Sequence, residues 1–134
     1  MKEIELQLIQ PITDAVKELF KADIPANQIN FQKTRKEFDG DVTLVVFPMV
    51  RLAKKSPEQT ADDIGSYLVQ NVDSVENYNV VKGFLNMVIS QSFWLNAYAK
   101  AFQTKDYGRV STGNDSPLTV VEYCSPNTNK PLHL

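Results

Sequence analysis

At 134 residues the chain has room for about one domain and a modest core. Its 43% hydrophobic and 22% charged residues suit a globular protein and exclude a disordered one. The net charge of -2 removes any global electrostatic case for nucleic acid, so an RNA contact would have to come from local patches.

One cysteine, Cys124, and one histidine, His133, exclude an intrachain disulfide, a thiolate metal cluster and a His-pair metal site, so no metal site is expected. The opening MKEIELQLIQ mixes charges and glutamines into its apolar residues, unlike a signal peptide. No run approaches the roughly 18 apolar residues that a membrane span requires. A cytoplasmic protein without membrane contact is the expectation.

Residues 3–23 place Ile4, Leu8, Ile12, Ala15, Val16, Leu19 and Phe20 near a 3.6-residue period, which predicts an amphipathic helix. Pro11 lacks a backbone donor and is expected to kink that helix or split it in two. INFQKTRKEF (29–38) alternates like a half-exposed strand, DGD (39–41) is a turn signal, and VTLVVF (42–47) is a β-branched run; together they read as a hairpin closed by Pro48. A short helical piece is expected over 49–55. Ser56-Pro57-Glu58-Gln59 then opens a helix to about Asn71 with a capping box, burying Ala61, Ile64, Leu68 and Val72.

Residues 74–83 and 84–90 form a second strand pair, with Phe84 and Asn86 on one face and Leu85 and Met87 on the other. A further helix over 92–104 carries an apolar stripe of Phe93, Trp94, Ala97, Tyr98, Ala101 and Phe102, expected to be core. KDYGRVSTGNDSP (105–117) is linker-like, and LTVVEYC after it reads as a strand. The order α-β-β-α-β-β-α predicts an α+β fold, a two-layer antiparallel sheet with helices, rather than a doubly wound sheet.

Two constellations carry candidate chemistry. The tail runs from a strand through SPNTNKP into His133, the pattern of a first β–α junction where a nucleotide sits beside free backbone N–H groups. There imidazole would donate to a phosphate oxygen, Lys130 would add a point charge, and Glu122 and Asn127 would hold a polar, cationic ligand. Upstream, an aromatic and an amide two residues apart suit a splayed RNA base: Phe84 for stacking, worth about 1–3 kcal/mol, and Asn86 for a base edge. The basic groups Lys33-Arg35-Lys36 and Arg51-Lys54-Lys55 are candidates for phosphate contact, and equally for a solvated face or a helix end. Cys124 reads as packing.

VEYCSPNTNKPLHL resembles the segment that runs into the HxGH signature of class I aminoacyl-tRNA synthetases, in the form found in the arginyl family. Val121, Glu122, Tyr123, Ser125, Pro126, Asn127, Lys130 and His133 match; Cys124 stands where the family more often has Ser. The Gly and second His of the signature would come next, so the chain reads as an N-terminal fragment ending inside the motif. EFDGDVTLVVFPMVRLAKKSPEQTADDIGSYL and VKGFLNMVIS resemble the family's N-terminal segments, with Lys82 at a position often held by Pro.

The resemblance implies an additional domain over 1–116 that recognises the D-loop and elbow of tRNA, and over 117–134 the first strand and loop of a Rossmann-type catalytic domain. It places Glu122, Ser125 and Asn127 at arginine, His133 and Lys130 at ATP (with Mg2+ in the whole enzyme), and Phe84 and Asn86 at a D-loop nucleotide. The expected activity is that of an ATP-dependent arginine-tRNA ligase with arginine, ATP and the tRNA for arginine as partners. The parent would be a monomer; the fragment would be inactive, hold no cofactor, and self-associate through strand 118–124. The rivals are a stand-alone RNA- or protein-binding α+β module without catalysis and, more remotely, a small phosphotransfer enzyme.

Overall fold

The computed structural model describes residues 2–121. The chain divides into two units, residues 1–103 and residues 104–134.

In the first unit, α1 (Lys2–Phe20) leads through a 3-10 turn (Ala26–Gln28) to β1 (Asn30–Lys33) and β2 (Val42–Val45). The short α2 (Phe47–Ala53) and α3 (Pro57–Asn71) follow, then β3 (Val75–Val81), β4 (Phe84–Ile89) and α4 (Gln91–Gln103). The strands form one antiparallel sheet in the order β1-β2-β4-β3. Two hairpins are thus joined through their inner strands, and the predicted α+β class holds.

One face of the sheet is apolar. Val42 and Leu44 from β2 and Leu85, Met87 and Ile89 from β4 meet Ile4, Leu8, Ile12 and Val16 of α1 and Ala61, Ile64 and Leu68 of α3 in one core. Each of the larger side chains removed from water contributes about 1.5–3 kcal/mol, which is why the 3.6-residue and two-residue periods both resolve onto this layer. Ser56 caps α3 in a full capping box with Gln59, as its spacing predicts.

Several expectations need correction. Residues 2–20 form one helix despite Pro11. Gln7, whose carbonyl loses the N–H that proline lacks, is an exposed residue, so the missing bond falls on the solvent side of the helix rather than in the core. The first strand stops at Lys33 instead of reaching residue 38, because Thr34 turns inward and is buried. The chain then turns at Arg35–Phe38, where the Phe38 N–H donates to the Arg35 carbonyl at 3.0 Å. The aromatic stripe of α4 is not core: no α4 residue is buried, Tyr98 and Phe102 are 69% and 80% exposed, and only Phe93 packs on the core.

In the second unit, the described residues 104–121 carry turns but no helix or strand. The expected strand 118–124 is therefore absent over 118–121, where Leu118, Val120 and Val121 are exposed. A strand persists only where a neighbour takes its backbone hydrogen bonds, and among the described residues none pairs with this segment. Residues 122–124 lie outside the described residues.

Candidate nucleic-acid interface

Strand alternation sends Thr43, Phe84 and Asn86 to the face opposite the core. The registers align Gln32 with Thr43, Thr43 with Asn86 and Asn86 with Asn79, so one polar row crosses all four strands. The β1–β2 loop, residues 34–41, folds over this row. Its return leg is pinned to β4: the Asp41 N–H donates to the Met87 carbonyl at 2.8 Å, and the Asp41 carboxylate accepts the Ile89 N–H at 2.9 Å. Gly40 passes so close that a Cβ there would stand 3.2 Å from the Asn86 Cβ, at a φ of 136° that side chains rarely adopt.

Beneath the loop lies a directed chain of hydrogen bonds. The Asp39 carbonyl can only accept, so Asn79 presents Nδ2 to it and turns Oδ1 toward Asn86. Asn86 Nδ2 donates to that oxygen at 2.8 Å. Its own Oδ1 therefore faces Thr43, whose hydroxyl donates at 2.6 Å. Thr43 has then spent its proton, so Thr34 donates to it across 2.9 Å. One main-chain carbonyl fixes the orientation of every group in the series. Asn86 is only 2% exposed, yet its amide retains one uncommitted N–H and one lone pair.

Beside this row a cavity of about 250 Å³ opens to solvent. Asn86 and Thr43 line it with Gln32; Phe84 and Phe38 supply aromatic faces, and Val81 an aliphatic one. Arg35 and Lys82 complete the lining. Phe47 holds the Phe84 ring edge-to-face, with centroids 5.5 Å apart.

Of the predicted RNA-facing residues, the fold brings Phe84, Asn86 and Arg35 together. Lys33 and Lys36 are exposed but do not line the cavity; Lys33 shares the face of Phe31, which packs on the core. In the second basic group, Lys55 pairs with Asp63 at 2.6 Å, Lys54 caps α2 in the left-handed region, and Arg51 lines a separate, more open depression with Phe47 and Asp23. Gln32, Phe38, Thr43, Val81 and Lys82 escaped the sequence reading. Only the β2–β4 pairing brings Thr43 and Gln32 to Asn86, and no local pattern announces it.

Glu122, Ser125, Asn127, Lys130 and His133 lie outside the described residues. Among the described residues no group of three His, Cys, Asp or Glu side chains could hold a metal ion, and no helix is long and apolar enough to cross a membrane.

Residues 6–89 match the family described as the arginyl tRNA synthetase N terminal domain. The chain is 50% identical over 131 residues to an arginine–tRNA ligase of Parabacteroides distasonis, covering 98% of this chain and 22% of that protein. It is 49% identical over 120 residues to one of Porphyromonas gingivalis, covering 90% of this chain and 20% of that protein. The chain thus spans about a fifth of the length of the curated relatives it matches. In fold it is similar to the arginyl-tRNA synthetase of Thermus thermophilus, with a TM-score of 0.58 at 22% identity over 75% of this chain and 16% of that one. The match over more than half of its length, with the cavity-lining strand β4 inside the matched span, makes this chain a member of the arginyl-tRNA synthetase N-terminal domain family.

Proposed function

We propose that the chain is the tRNA-reading part of an arginine-tRNA ligase, an enzyme that attaches arginine to its tRNA in the cytoplasm at the expense of ATP. In this reading the outer face of the sheet receives one splayed nucleotide of the tRNA D-loop. Its base stacks on Phe84 and meets the free N–H and lone pair of Asn86.

The observation that supports this is the meeting, in one cavity of about 250 Å³, of an aromatic ring, an oriented amide and two cations on a domain with a net charge of -2. Such a pocket takes an unstacked base, which is how RNA sequence is usually read. Global charge would contribute little; the local rim must supply the attraction.

For the whole enzyme the reading keeps 1–116 as the additional domain and 117–134 as the start of the catalytic one. Glu122, Ser125 and Asn127 would hold arginine, and Lys130 and His133 would serve ATP with its Mg2+. These assignments rest on the resemblance of the tail to the family motif. The parent would act as a monomer.

Filter binding tests the reading. Phe84→Ala should weaken binding of an arginine tRNA by about 5- to 100-fold, the loss expected for one stacked base, and leave binding of unrelated tRNAs unchanged. Equal affinity of the wild type and Phe84→Ala for both RNAs would sink it. The 134-residue chain alone should show no arginine-dependent ATP–pyrophosphate exchange, and detectable exchange would overturn the assignment of catalysis to the longer parent.

A further inference from the structure

Arg35 and Lys82 line the cavity from two different segments, the β1–β2 loop and the β3–β4 turn. Neither takes part in an ion pair among the described residues. Both are exposed, so two unneutralised cations stand at the rim of a neutral, aromatic interior.

Lys82 holds its place against its own backbone preference. With Gly83 it forms the whole β3–β4 connection, at φ of 49° and 76°, both in the left-handed region. Those angles suit a two-residue hairpin turn of the primed type, where Asn-Gly or Gly-Gly is favoured and a Cβ on the first residue is penalised. Two other lysines among the described residues share this conformation, Lys21 and Lys54. Each immediately follows a helix, α1 or α2, where a cation complements the negative end of the helix. Lys82 ends no helix. It lines the cavity instead, together with Arg35.

We propose that Lys82 and Arg35 form a phosphate subsite that grips the RNA backbone on either side of the nucleotide whose base enters the cavity. The subsite rests on the RNA reading given above and deepens it. The division of labour follows from chemistry: Phe84, Phe38, Thr43 and Asn86 are uncharged and suit a base. A guanidinium forks onto phosphate oxygens, and an ammonium on a long stem follows the backbone as a point charge. The left-handed lysine is then explained by what it reaches rather than by what it does for the turn.

The test is a filter-binding series across salt concentrations, using the 134-residue chain and an arginine tRNA transcript. The proteins are the wild type, Lys82→Gly, Arg35→Gln and Phe84→Ala, with thermal melts alongside. Lys82→Gly should raise the melting temperature by a few degrees, since glycine adopts the turn freely. The same variant should bind about five- to eightfold more weakly at 0.1 M salt and lower the slope of log K against log salt by about one. Arg35→Gln should lower the slope similarly, while Phe84→Ala weakens binding with its slope unchanged.

Wild-type slopes in Lys82→Gly and Arg35→Gln, with binding lost in Phe84→Ala, overturn the phosphate subsite and leave the base pocket standing. Wild-type affinity in Phe84→Ala removes the base pocket itself. Any slope loss in the cation variants would then mark nonspecific surface charge, and the subsite falls with the pocket.

Discussion

Asn86 is the residue whose meaning changes most between sequence and structure. On a bare strand pattern its amide is free to read a base; in the fold most of its work is internal, joining Thr43 to Asn79 under the loop. Truncating it strands the buried Thr43 hydroxyl and the part-buried Asn79 amide oxygen. Asn86→Ala should therefore cost about 2–3 kcal/mol of stability, read as a drop in the urea midpoint. Thr43→Val keeps the shape but breaks the same series, and about 1–3 kcal/mol is expected for it. A wild-type midpoint in either variant would mean that the series does not hold the loop. A binding loss in Asn86→Ala consequently mixes folding with recognition, and Phe84, partly buried but outside the hydrogen-bonded series, is the cleaner probe.

At the scale of elements, α3 and β3 are joined through Tyr78. Its hydroxyl donates to the Asp62 carboxylate at 2.8 Å, so the Ser66 hydroxyl donates to it across 2.7 Å. Burial first, then the bond to Asp62 and the charges of Asp62 and Asp63, push the phenol above its ordinary value of 10.0, against an opposing pull from Ser66. The unfolded phenol ionises first. The contribution is therefore intact below pH 10 and is lost as pH rises through the folded-state value. The urea midpoint should fall above pH 10, and less in Tyr78→Phe, which costs about 1 kcal/mol near neutrality through its lost hydrogen bonds. Identical alkaline profiles would show that this tyrosine is not responsible.

The elements themselves were largely legible: the Ser56 capping box, both hairpins and most of the core faces of α1 and α3 follow from spacing that local chemistry enforces, although Leu19 is exposed and Val72 only partly buried. What was not legible depends on partners distant in the chain. The β2–β4 pairing assembles the cavity from positions some forty residues apart, and β1 ends where Thr34 finds Thr43, a bond invisible in an alternating pattern. The α4 stripe shows the same limit in reverse. Amphipathic periodicity asks for a partner without naming one, and here Tyr98 and Phe102 stack on each other in solvent, their centroids 6.2 Å apart. Replacing both with Ser should change stability by no more than about 0.5 kcal/mol, as at other exposed positions. A larger loss would restore them to the core.

Across the whole molecule, stability is unevenly spread, and limited trypsin digestion can rank its weakest segments. Residues 104–121 are exposed and without helix or strand; the ion pair of Arg109 with Asp106, at 3.4 Å with both side chains mostly exposed, adds little. The loop over the cavity also offers exposed sites at Arg35 and Lys36, but it is held at Thr34, Asp39 and Asp41 by bonds to three strands. Opening it far enough to fit a protease means breaking those bonds, the Thr34–Thr43 one buried, whereas Lys105 and Arg109 need almost no unfolding. Trypsin should cut first at Lys105 and Arg109 and leave the sheet and its helices as a resistant core that melts at the temperature of the whole chain. An earlier cut at Arg35 or Lys36 would mean that the loop opens more readily than the linker, and that the cavity forms only when a ligand closes it.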